Sequence, residues 1–138
     1  MAEPDLTHLE PGRTGTASLV VGEEHTAAWI GSGSAPVLAT PMLVALMERG
    51  AVACIEAALP AGQESLGVRI EVEHIAPTPV DMSVTATAEL TEVSGRTLTF
   101  RVEARDDGGT IGAGRHTRVV VDSERFRAKV SGKRAKSK

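Results

Sequence analysis

The hydrophobic positions of this chain change period near residue 60. Before it, the run from Thr40 to about Leu59 (TPMLVALMERGAVACIEAAL) is rich in strong helix formers and closes on Pro60-Ala61-Gly62, which predicts a helix over 40–59. Gly50, inside that run, costs a helix about 1 kcal/mol relative to alanine and permits close approach of another backbone. After it, apolar and polar residues alternate with period two over 65–76, 81–93, 96–106 and 110–121. Turn signals separate these runs: Pro77-Thr78-Pro79, Ser94-Gly95 and Asp107-Gly108-Gly109. Short connections between alternating strands predict antiparallel hairpins. Upstream, residues 14–22 (TGTASLVVG) read as a strand. Residues 23–36, ending in GSGSAP and carrying the lone Trp29, read as a flexible loop, and the polar residues 1–13 as a mobile arm.

The order is strand, helix, then four strands. A helix over 40–59 is about 28 Å long at 1.5 Å per residue, and strands of this length span about 30–40 Å. One long helix therefore matches one sheet, and the expected architecture is α+β: an antiparallel five-stranded sheet wrapped around one long central helix, a single domain over 14–122. One helix does not cover both edges of such a sheet, so a homodimer is expected, by continuation of the sheet across an edge.

Composition narrows the chemistry. The single cysteine, Cys54, excludes an intrachain disulfide and a Cys/His zinc site, so no metal is expected. A signal peptide and a membrane span are not read from the pattern, and the expected setting is the cytoplasm with no membrane partner. Trp29, Phe100 and Phe126 are the only aromatic residues, which disfavours a single-strand nucleic-acid binder. Charge is segregated. From Ser123 onward there are seven bases and one acid, a charge of +6, whereas the first 122 residues hold eight bases and seventeen acids, a charge of −9. Residues 123–138 are expected to be a frayed, solvated basic tail, the alternative being a contact with phosphates of a nucleotide-like ligand.

Two residues break the pattern. Glu48 shares a helical stripe with Val44, Ala51, Val52 and Ile55, and a carboxylate on an apolar stripe needs a partner or a proton. His74 continues the row Leu66, Val68, Ile70, Val72 on what alternation makes the core face, provided no bulge shifts the parity. An acid and an imidazole are thus expected at one helix–sheet interface. Thr40, preceding Pro41, is a candidate N-cap, at a helix start whose free N–H groups would favour an oxyanion. His8, His25 and His116 read as ordinary polar or strand residues, and Cys54 as a packing residue. GSGS at 31–34 and GAG at 112–114 lack the context of a phosphate loop, and no G-x-S-x-G elbow is present.

At residue level, VLATPMLVALMERGAVACIEAAL (37–59), SLGVRIEVEHIAPTPVDMSVTATAEL (65–90), GRTLTFRVEARDDGGTIGAGRHTRVV (95–120) and ERFRAKV (124–130) resemble the fluoroacetyl-coenzyme A thioesterase family of hot-dog proteins. The resemblance implies the hot-dog fold and a Thr, Glu, His catalytic set at Thr40, Glu48 and His74. It also implies that the backbone amide of Gly67 holds the thioester oxygen or a water, and that Arg118 lies near the coenzyme A channel. The family's phenylalanine lid has no counterpart in Trp29-Ile30-Gly31-Ser32-Gly33-Ser34-Ala35-Pro36. The implied activity is hydrolysis of a short-chain acyl-CoA, with no cofactor. The alternatives are a hot-dog enoyl-CoA hydratase or dehydratase, whose D-x-N-x-x-H pattern is absent, and a non-catalytic acyl-CoA binding module.

Overall fold

The computed structural model describes residues 4–136, so the first three residues of the expected arm and the last two of the basic tail lie outside the described residues. Five strands form one antiparallel sheet: β1 (Thr14–Val20), β2 (Gln63–His74), β3 (Ser83–Ser94), β4 (Thr97–Asp106) and β5 (Gly109–Asp122), in the order β1-β3-β4-β5-β2. Among the described residues three α-helices accompany it: α1 (Ala27–Ile30), α2 (Thr40–Ile55) and α3 (Ser123–Lys136). α2 packs mainly on β1 and β3, less on β4 and β2. It buries Leu43, Leu46, Met47, Gly50, Ala51, Cys54 and Ile55 against Val84, Ala86, Ala88, Leu90 and Phe100. Each large apolar side chain removed from water there stabilises the fold by about 1.5–3 kcal/mol.

The close approach expected at Gly50 is enforced from the other side. A Cβ on Gly15 of β1 would collide with the Cys54 backbone nitrogen and the Gly50 carbonyl, whereas a Cβ on Gly50 meets nothing nearer than 3.6 Å. Gly15 is the residue that lets strand and helix backbones touch.

Four expectations change. The arm is docked from Pro4 on: Leu6 and Leu9 are buried, Gly12 N–H donates to the Leu90 carbonyl (2.8 Å), and Arg13 Nε donates to the Cys54 carbonyl (2.5 Å). Two leucines three apart supply enough apolar surface to hold a polar-looking segment. The 23–36 stretch contains α1, capped by buried Thr26 (Trp29 N to Oγ1, 3.2 Å) and ended by left-handed Gly31 at φ 84°. α2 stops at Ile55, and a 3₁₀ turn (Glu56–Ala58) completes the expected helical run. The C-terminal segment is helical through Lys136: Asp122 Oδ1 accepts from Arg125 N (3.0 Å), Glu124 sits in the first turn and three bases in the last, which suits the helix dipole.

A register shift lies between Gly67 and Arg69 on β2. This bulge puts Val68 outside (59% exposed) and flips the parity, so Leu66 and Val68 leave the core row while Ile70, Val72 and His74 stay on it.

Candidate active site

Thr40 was expected to cap α2, but Ala39 holds that position: Met42 N–H and Leu43 N–H both donate to its carbonyl (3.0 Å each). Thr40 therefore lies inside the first turn, beside Pro41, whose missing N–H would have been unpaired there in any case. Its hydroxyl is released from capping and lies 2.8 Å from His74 Nδ1. His74 is placed by the inward row of β2, opposite Gly112 of β5. Its Nε2 is buried and makes no hydrogen bond among the described residues. Burial pushes the His74 pKa down, a weaker backbone contact with Ala76 opposing it, so the ring is neutral at physiological pH. The Thr40–His74 pair borders a cavity of about 310 Å³ shared with Ala27, Ser32, Val37 and Leu38.

Glu48 makes a second cluster. It lies on a half-buried stripe with Val44 and Val52, one face away from the fully buried stripe, and its side chain is 40% exposed. The expectation of a fully core-facing carboxylate is corrected accordingly: α2 turns this face away from β1 and β3. Glu48 Oε2 accepts from Arg118 Nη1 (3.3 Å) and lies 3.9 Å from His116 Nε2. It also lies against the α-carbon of Gly67, since a Cβ there would sit 2.5 Å from Oε2. A side chain at 67 would push the Glu48 carboxylate away from this position.

Arg118, implied near the coenzyme channel, is buried (7% exposed) and turned inward. Its Nε donates to Ser65 Oγ (2.8 Å), Nη2 to the Ser65 carbonyl (3.1 Å) and Nη1 to His116 Nε2 (3.0 Å) as well as to Glu48. Desolvation lowers its pKa while Glu48 raises it, and a guanidinium stays protonated throughout. His116, read from sequence as an ordinary strand residue, is 1% exposed and completes this cluster. It donates from Nδ1 to the Arg69 carbonyl (2.8 Å) and accepts at Nε2 from Arg118, which assigns the neutral Nδ1–H tautomer. Burial is the main cause lowering its pKa, and Arg118 adds to it against the Arg69 carbonyl and Glu48. Its ring stacks on Phe100 at 6.0 Å between centroids. The sequence signal was present, since His116 and Arg118 both lie on the buried row Gly112, Gly114, Val120 of β5.

The two clusters do not meet within one chain. Eight residues of helix separate Thr40 from Glu48, about 12 Å of rise. A larger cavity of about 740 Å³ over β2, β5 and β4 is lined by Glu71, Glu73, Arg101 and Arg115 among others and contains none of the Thr40, Glu48, His74 set. Among the described residues no group of three His, Cys, Asp or Glu is placed to hold a metal, and no helix is long and apolar enough to cross a membrane.

The topology, a curled antiparallel sheet around one helix, defines the hot-dog thioesterase superfamily, and solved structures agree. A hot-dog-like protein from Thermanaerovibrio acidaminovorans matches with a TM-score of 0.85 at 25% identity, over 94% of this chain and 96% of its own. A variant of the fluoroacetyl-CoA thioesterase bound to acetyl-CoA matches at 38% identity and a TM-score of 0.85, over 91% of this chain and 98% of its own. The fluoroacetyl-CoA thioesterase of Streptantibioticus cattleyicolor is 46% identical over 97 residues, 70% of each chain. The family model for fluoroacetyl-CoA-specific thioesterase matches residues 21–124. The chain belongs to this family of thioester hydrolases.

Proposed function

We propose that this protein hydrolyses a short-chain acyl-CoA to the free acid and coenzyme A in the cytoplasm, with Thr40, Glu48 and His74 as its catalytic set. The observation that carries the proposal is the Thr40–His74 pair, with a buried, unpartnered Nε2, beside a cavity of about 310 Å³. A neutral imidazole with one nitrogen held and the other without a hydrogen-bond partner among the described residues is suited to receive and return a proton. Glu48 supplies the nucleophile, either its own carboxylate, forming a mixed anhydride that water then cleaves, or a water it deprotonates. The thioester C–S bond breaks to release the thiolate, and the proton that the attacking water gives up passes through His74 to that thiolate. The break in the ladder between Gly67 and Arg69 supports the reading that the Gly67 amide holds the carbonyl oxygen as charge develops on it. Arg118 acts through Glu48, holding its carboxylate in place against Gly67.

The rise of about 12 Å along α2 from Thr40 to Glu48 supports a site completed by a second copy. Antiparallel packing of two α2 helices across a two-fold axis would bring Thr40 and His74 of one copy toward Glu48 of the other. Features suited to that contact are the half-buried stripe Val44, Glu48, Val52 and the unpaired edge of β2, with Val68 and Ile75 exposed (59% and 64%). The small volume of the cavity, about 310 Å³, and its lining by Ala27, Ser32, Ala39 and Ala76 support a short acyl group.

The test is thiol release across acetyl, halogenated acetyl, branched and aryl CoA thioesters, with Glu48→Gln and His74→Ala beside the parent protein. The proposal expects hydrolysis of at least one short acyl ester and losses of about 10²–10⁴-fold in each variant. Unchanged rates in both variants would remove the mechanism.

A further inference from the structure

The basic C-terminal helix takes no part in the chemistry above. Its cations are not scattered: Arg125, Lys129, Lys133 and Lys136 follow at spacings of four, four and three residues, so they share one face of α3 along about 16 Å. Like charges four apart destabilise a helix. Arg127, on another face, is tied back to Glu64 of β2 (3.3 Å), which fixes the helix against the start of that strand. The stripe begins at a cavity of about 460 Å³ where α3 meets β5, with Val119, Val121 and Phe126 as apolar lining and Arg96, Arg125 and Lys129 as its cations. Asp122 is its one acid and also caps the helix. An apolar hollow continued by a row of cations matches a ligand with a flat heterocycle and several phosphates. The rest of the chain carries the opposite charge, −9 over the first 122 residues, so such a ligand would be steered to this end.

We propose that α3 and the hollow beneath it bind the phosphorylated nucleotide end of the coenzyme A thioester. The proposal rests on the thioesterase reading and extends it to substrate capture. Glu64 of β2, which Arg127 grips, is three residues from Gly67, about 10 Å along the strand. The nucleotide end would therefore sit within reach of a flexible carrier arm from the Glu48 cluster.

The experiment compares one acyl group as its CoA ester and as its N-acetylcysteamine ester, which lacks the nucleotide, in the parent protein and in the triple variant Lys129→Gln, Lys133→Gln, Lys136→Gln. Three exposed phosphate contacts predict a rise in KM for the CoA ester of about tenfold at low salt with kcat unchanged. The N-acetylcysteamine ester should show no change. The parent's KM for the CoA ester should climb with ionic strength and the variant's should not. Equal KM values, an equal loss on both esters, or capture of duplex DNA or anionic vesicles by α3 with no change in KM would overturn the proposal. If neither ester is hydrolysed, the thioesterase reading fails instead. Calorimetric titration with adenosine 3′,5′-bisphosphate then still decides the binding site, since parent and variant must differ in affinity.

Discussion

Placing a methyl group on Gly67 separates catalytic geometry from folding. The new Cβ would lie 2.5 Å from Glu48 Oε2, 3.2 Å from His116 Cε1 and 3.3 Å from Arg118 Nη1. His116 and Arg118 are buried and held by two or more hydrogen bonds each, so the half-exposed carboxylate is the group that yields. Restoring ordinary contact requires a shift of about 1 Å, which lengthens the 3.3 Å Arg118–Glu48 contact beyond hydrogen-bond range. Loss of one partly exposed charge-assisted hydrogen bond costs about 1 kcal/mol, a fall in Tm of about 4 °C for a domain of this size. The same shift at a reacting group costs about 10²-fold in rate. Gly67→Ala should therefore remain folded at 25 °C, by circular dichroism and thermal melting, while kcat in the thiol-release assay falls about a hundredfold. A variant with the lowered Tm and parental kcat would refute the placement of Glu48 against Gly67 as the working geometry.

Further outcomes follow from the same contacts. Thr40→Val, which removes the hydroxyl 2.8 Å from His74 Nδ1, should lower kcat more than tenfold with little change in Tm, and Thr40→Ser should restore most of it; equal rates for Val and Ser would exclude the hydroxyl. The pKa values of His74 and His116 are both lowered by burial, so the unfolded chain binds protons before the folded one does. Stability is then level above their ordinary value and falls as pH drops from about 6.5 toward the folded values, and urea midpoints that stay constant from pH 7 to 5 would contradict this. Gly50→Ala, with 3.6 Å of clearance, should stabilise the protein by up to about 1 kcal/mol, whereas Gly15→Ala should cost several kcal/mol or prevent folding because only backbone can give way, and denaturation curves that rank the two the other way would dismiss the β1–α2 contact.

The architecture was legible because one long helical run and four alternating runs leave few ways to bury their apolar faces. Element ends were legible to within two residues in the strands, less so where short-range chemistry competes. Ala39 capped α2 through its carbonyl, a role any residue fills, so Thr40 looked like the cap from composition alone. The flip of Leu66 and Val68 off the core row was invisible because a bulge has no apolar signature, although Gly67 beside it was a hint. Thr40 and His74 were expected near each other and are hydrogen-bonded. Glu48 was expected beside them, but its partners are Arg118, His116 and Gly67. Those partners lie on two strands and are brought to α2 only by the sheet order β1-β3-β4-β5-β2. The segment after Asp122 is solvated as expected but helical rather than frayed, and Asp122 and Glu124 at its start with bases at its end are the helix signature that the run of bases hides.

The proposed site, with Thr40 and His74 of one copy facing Glu48 of another, is tested most directly by complementation between two variants. Glu48→Gln and His74→Ala variants, each inactive alone, can be co-expressed with different tags and the mixed dimer purified. Within such a dimer one site carries both lesions and the other carries neither, so the mixed species should regain about half the thiol-release rate of the parent dimer. Mixed dimers as inactive as either variant alone would contradict the account and leave each site within a single chain.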